Sequence, residues 1–220
     1  MAQIFKPSVD TFSRLFLAGS VVVLIGVFML GPVAAWSSYQ SKVGWAVDQP
    51  VPFSHKHHVS GLGLDCRFCH ATVETSAHAG FPSTHVCMTC HSQIWTGSPM
   101  LAPVRQSLAS GRPLAWNRVS KLPDFVFFNH KIHIDRGVAC VECHGRVDQM
   151  PMLARAHPFE MRFCLDCHRD PAGRLGPTDQ VTRMSPLPWD EATHQRFALA
   201  AARRYHLDPA RLDKCDICHR

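Results

Sequence analysis

Ten cysteines fall into five C-x-x-C pairs: Cys66 and Cys69, Cys87 and Cys90, Cys140 and Cys143, Cys164 and Cys167, Cys215 and Cys218. Each pair is followed at once by a histidine, namely His70, His91, His144, His168 and His219. Two thiols on one turn of chain can each add across one vinyl group of the same porphyrin, and the next imidazole then projects at the iron. Five C-x-x-C-H motifs therefore read as attachment sites for five covalently bound haem c groups.

Two rival chemistries use the same cysteines. The spacers of 17 residues between Cys69 and Cys87 and 20 between Cys143 and Cys164 fit a zinc ribbon, and ten cysteines in an exported chain could form five disulfides. Neither gives the adjacent histidine a role, and a fifth C-x-x-C has no zinc partner. Histidine is only 15 of 220 residues, so five such neighbours are not a coincidence of composition.

A haem iron held by a proximal histidine still has an opposite face to fill. Phe53-Ser54-His55-Lys56-His57-His58 and Phe128-Asn129-His130-Lys131-Ile132-His133 share the pattern F-x-H-x-x-H, 75 residues apart, and each copy precedes two attachment sites. Histidines three apart on a helix face the same side. His55 and His130 are thus expected as distal ligands of the haems at Cys66 and Cys140, with His58 and His133 serving two further haems. One position stays unfilled, and Met150, six residues past His144, is the leading candidate, with His157, Met161 and His206 behind it. His57, His78, His85 and His194 are read as ordinary solvated or hydrogen-bonded side chains.

These sites need a frame. Leu15 to Trp36 is a run of 22 residues without a charge, about 33 Å long as a helix, enough to cross a bilayer. The run exceeds a signal-peptide core, so an uncleaved anchor is expected rather than cleavage near Val33-Ala34-Ala35. Lys6 and Arg14 before it place residues 1–14 in the cytoplasm and the haem modules on the periplasmic face of a bacterial inner membrane. The expected layout continues with a juxtamembrane arm at 37–52, a di-haem module at 53–95, a linker at 96–127, a second di-haem module at 128–170 and a helical C-terminal segment at 171–220 carrying the fifth site. Asp190 suits the N-cap of a helix running to Tyr205, and Asp208-Pro209 a second start.

The fold class expected is a multihaem cytochrome c, mostly irregular chain and short helices packed around five haems, with one N-terminal transmembrane helix. The net charge of +6 falls to roughly +1 once five haems bring their propionates, and no basic run or phosphate loop points to nucleic acid.

The strings PFSHKHHVSGLGLDCRFCH (Pro52 to His70), CMTCHSQIW (Cys87 to Trp95), WNRVSKLPDFVFFNHKIH (Trp116 to His133), CHGRVDQM (Cys143 to Met150) and CLDCHR (Cys164 to Arg169) resemble the pentahaem cytochrome c subunit of alternative complex III. That resemblance implies a subunit packed on a quinol-oxidising membrane complex. Its implied partners are an iron-sulfur protein, polysulfide-reductase-like membrane subunits and a monohaem cytochrome c. Electrons would leave for a soluble cytochrome or a blue-copper protein. The rival from another class is a single-anchor quinol dehydrogenase with a quinone pocket of its own; no motif among the five marks an iron left open for substrate.

Overall fold

The computed structural model describes residues 6–35 and 37–220. The expected cytoplasmic residues before Lys6, and Trp36 at the end of the expected span, lie outside the described residues. Chain contacts divide the protein into two units, residues 1–42 and 43–220.

In the first unit, helix α1 (Pro7–Ala35) is followed by the single turn α2 (Ser38–Ser41). The helix is long and apolar enough to cross a membrane, with a mean hydropathy of 2.4 and its side chains exposed. It begins two turns before the uncharged run, with Asp10 in its first turn. Asp10 sits at the favourable end for the helix dipole and pairs with Arg14 at 3.0 Å.

The second unit is built of short helices: α3 (Cys66–Cys69), α4 (Thr84–His91), α5 (Ala102–Ser110), α6 (His130–Asp135), α7 (Cys140–His144), α8 (Met161–Arg169), α9 (Glu191–Arg204) and α10 (Pro209–Leu212). Residues Lys56–Gly61 form a π-helical turn. Among the described residues there are no strands, only isolated bridges such as Val138 to Leu175. Helix starts follow capping chemistry. The Asp190 carboxylate accepts from the Thr193 N–H at 2.8 Å, Asp208 from Ala210 at 3.0 Å, and Asn129 caps α6 through the Ile132 N–H.

The aliphatic core is thin. One cluster joins Val51, Leu101 and Val104, with Cys87, Met88, Leu114 and Trp116 around it; another joins Val73, Ile134 and Val181. Long-range hydrogen bonds do part of the holding. Asn117 donates to the Asp48 carbonyl at 2.6 Å and exchanges bonds with the Gln49 amide, which ties residues 48–49 to the segment that follows α5.

Candidate haem sites

Four of the five C-x-x-C pairs lie on one turn of α-helix, so both thiols of each pair project to one side. Cys66 and Cys69 bound α3, where Asp65 fixes the start by accepting from the Arg67 N–H at 2.8 Å. Cys87, Cys90 and His91 end α4; Cys140, Cys143 and His144 make up α7; Cys164, Cys167 and His168 lie on α8. Cys215 begins a short 3-10 turn that leads to His219. No disulfide joins any two of the ten cysteines. Among the described residues no three His, Cys, Asp or Glu side chains converge in a metal cage, so the side chains do not form the tetrahedral cluster a zinc ribbon needs.

The histidines come together in pairs. The rings of His130 and His144 lie 6.3 Å apart, centre to centre, and nearly parallel at 4°. His133 and His168 are also 6.3 Å apart, at 28°, and His58 and His91 are 6.3 Å apart, at 63°. In each pair one ring follows a C-x-x-C and the other belongs to an F-x-H-x-x-H copy. Two metal–nitrogen bonds of about 2.0 Å, with about 1.1 Å from each nitrogen to its ring centre, span about 6.2 Å. The spacing is that of two imidazoles on opposite sides of one metal ion, so these residues fit a six-coordinate haem iron.

The second nitrogens fit the same use. Nδ1 meets a main-chain carbonyl in His70 (Gly80, 2.9 Å), His91 (Ile94, 3.3 Å), His168 (Leu212, 3.0 Å) and His219 (Phe125, 3.1 Å). It does so again in His58 (Ser54, 2.8 Å), His130 (Ala77, 2.9 Å) and His133 (Asn129, 2.8 Å). A carbonyl only accepts, so Nδ1 carries the proton and Nε2 is left with its lone pair free for a metal. Among the described residues His55 and His144 make no such bond, nor do His57, His78, His85, His157, His194 and His206. Electrostatics agrees with ligation by neutral rings. Burial first, then the charges of His70 and His58, hold His55 down at about 4, and burial with His130 and His70 beside it holds His144 at about 4. Burial also lowers His130 and His133.

His55 is placed near His70, the strongest charge acting on it, but its ring makes no 6.3 Å pair, and its Nδ1 is buried without a partner. The two motif copies also differ locally: the second is α-helical from His130, while in the first His55 precedes a π-helical turn. Met150 packs its methyl toward Gly145, 3.9 Å from where a Cβ there would stand, and its carbonyl accepts from the Lys56 N–H at 3.0 Å. His219 is instead held by Phe125, ring centres 5.8 Å apart. These contacts do not bring Met150 and His219 together. His157 stacks on Phe163 at 4.9 Å, Met161 is exposed, and His206 adopts a left-handed backbone with φ of 50°.

Reading the motifs missed the carbonyl acceptors, which carry no side-chain signature, and the use of the motif phenylalanine. Phe53 lies against both His55 (4.9 Å) and His58 (4.3 Å), and Phe128 against both His130 (4.7 Å) and His133 (4.5 Å). The signal was the first letter of F-x-H-x-x-H, recurring with the histidines.

No protein-family model matches the chain. It is similar over nearly its whole length to a multihaem cytochrome. The menaquinone reductase, multiheme cytochrome c subunit, of Nitratidesulfovibrio vulgaris is 29% identical over 208 residues, which are 93% of this chain and 89% of that protein.

Proposed function

We propose that the chain is a membrane-anchored pentahaem c-type cytochrome that passes electrons between a quinone-reacting membrane complex and a periplasmic carrier. The observation that carries this reading is the imidazole pair at 6.3 Å, found three times between a C-x-x-C-H histidine and an F-x-H-x-x-H histidine. When bound, haem c supplies one-electron redox chemistry at iron. The chain's own residues do the holding. Each cysteine would hold the porphyrin by adding its S–H across a vinyl group, which needs no oxidant. His70, His91, His144, His168 and His219 would hold the irons through Nε2 as the motif ligands. His55, His58, His130 and His133 would supply the second ligands through Nε2, each packed against the motif phenylalanine. Met150 stays the candidate sulfur ligand on its chemistry alone.

The resemblance to alternative complex III supports the direction from quinol outward, to a cytochrome c or blue-copper acceptor. The partners on this reading are the iron-sulfur protein, the polysulfide-reductase-like membrane subunits and the monohaem cytochrome c, with the haem unit on the periplasmic side of the inner membrane. The similarity to a menaquinone reductase subunit supports the opposite direction through the same haems, into menaquinone. A self-contained quinol dehydrogenase is disfavoured by α1, which carries no ionisable group from Leu15 to Ala35 to take up a quinol proton. The test is to compare the purified single chain in detergent with the intact complex. The chain should be reduced by dithionite and reoxidised by cytochrome c but turn over no quinol alone. The complex should turn over quinol or menaquinone, and the faster physiological half-reaction fixes the direction. Inhibitor-sensitive quinol turnover by the single chain would overturn the subunit reading.

A further inference from the structure

The contacts that each site makes outside its own motif put the five sites in an order that differs from their order along the chain. In the first module Phe53 touches both His55 and His58, and His58 faces His91. One aromatic ring thus joins the Cys66–Cys69 site to the Cys87–Cys90 site. Phe128 does the same in the second module, joining the Cys140–Cys143 site to the Cys164–Cys167 site through His130 and His133.

The modules meet through their first sites. A single loop, residues 71–80, holds His70 by the Gly80 carbonyl and His130 by the Ala77 carbonyl, the latter accepting from both the Nδ1 and the backbone N–H of His130 at 2.9 and 3.1 Å. A second tie runs through the neighbouring residues Val181 and Thr182. The Cys140 N–H donates to the Val181 carbonyl at 2.8 Å, and the Thr182 hydroxyl donates to the Asp65 carboxylate beside Cys66 at 2.8 Å. At the other end the C-terminal site abuts the Cys164–Cys167 site. His168 rests its Nδ1 on the Leu212 carbonyl, and the Phe127 N–H, next to Phe128, donates to the Cys218 carbonyl at 2.8 Å.

Resting on the five-haem reading above, we infer that the haems stand in single file in the order Cys87–Cys90, Cys66–Cys69, Cys140–Cys143, Cys164–Cys167, Cys215–Cys218. The second and fifth sites of the sequence are the two ends, and the junction between modules is the middle. Exposure follows the same order: of the ten cysteines only Cys90 and Cys215 are exposed, one from each terminal site. Electrons entering at either end would cross every site to leave at the other.

An electron on one haem repels an electron on its neighbour, and the repulsion falls with distance. The test is a redox titration of the full-length holoprotein in detergent, followed by NMR of the haem methyl groups. His58→Met and His133→Met each mark one haem for assignment, and the haem count is taken by mass on the same sample. Reduction of the Cys87 haem should lower the midpoint of the Cys66 haem and leave the Cys164 and Cys215 haems unshifted, while the Cys66 and Cys140 haems shift each other. Strongest coupling of the Cys87 haem to the Cys164 or Cys215 haem, or no mutual shift between the Cys66 and Cys140 haems, would overturn the order while leaving the haem reading intact. Fewer than five covalent haems would overturn the haem reading, and the order with it.

Discussion

An imidazole is readied to hold a metal when its far nitrogen is committed elsewhere and its ring is kept neutral. His130 shows both, with Nδ1 on the Ala77 carbonyl and its affinity for a proton lowered by burial. Replacing any one of His55, His58, His130 or His133 by Ala should turn one haem from low to high spin while all five stay attached by their thioethers. Electron paramagnetic resonance reads the change, and unchanged spectra in all four variants would contradict the distal assignment. Phe128→Leu should disturb two haems at once, because its ring contacts, worth about 0.5–1.5 kcal/mol each, fix both His130 and His133. Met150→Leu should abolish a sulfur–iron charge-transfer band; a native protein without that band has nitrogen at every distal position it fills. The motif letters made the C-x-x-C-H turns and the F-x-H-x-x-H repeat legible. The carbonyls at Gly80, Ala77 and Leu212 were not, because any residue type supplies a carbonyl and only the folded chain decides which one arrives.

At the scale of elements, four of the short helices, α3, α4, α7 and α8, each carry one C-x-x-C pair. The capped starts at Asp190 and Asp208 were legible, since a carboxylate before a helical run satisfies its first N–H groups whatever the tertiary context. The π-helical turn at Lys56–Gly61 was not, because the same F-x-H-x-x-H letters form an α-helix in the second copy. Asp65 gives α3 a pH dependence. Hydrogen bonding from Arg67, with Thr182 adding to it, draws its pKa down to about 2. A carboxylate held below its unfolded value of about 3.9 stabilises the fold above that pH and loses its contribution as pH falls through about 2. Melting temperature measured from pH 5 to pH 2 should therefore fall more steeply for the native chain than for Asp65→Asn; parallel curves would remove Asp65 from this role. Gly137 is the tightest backbone approach, with φ of 80° and a Cβ that would stand 2.0 Å from the Gly176 carbonyl oxygen. Since backbone cannot swing aside, Gly137→Ala should cost more than about 1 kcal/mol in chemical denaturation.

Over the whole molecule, an apolar helix and a haem-bearing unit are separate pieces of physics in one chain. The helix was legible from 22 uncharged residues, though its start at Pro7 was not, because the first two turns hold Asp10 and its ion pair with Arg14 and so lie outside the uncharged run. Residues 43–220 form a compact unit by contacts among themselves. Replacing residues 1–36 by a cleavable signal should thus release a soluble fragment that keeps its colour; a fragment recovered only as aggregate would tie the haem unit to its helix. Composition also foretold the thin core. With 16 Pro, 13 Gly, 10 Cys and 15 His, few aliphatic side chains are left to bury, and clusters as small as Val73, Ile134 and Val181 must hold helices whose inner faces are thiols and imidazoles.

The central claim is that five C-x-x-C-H turns carry five covalent haems, and the denatured mass of the purified chain tests it most directly. Thioether bonds survive unfolding, whereas iron ligation, zinc and disulfides under reducing conditions do not. The account predicts the mass of the polypeptide plus five haems, with the colour retained after acid-acetone extraction. A mass equal to the bare polypeptide, or colour lost to the solvent, would contradict it.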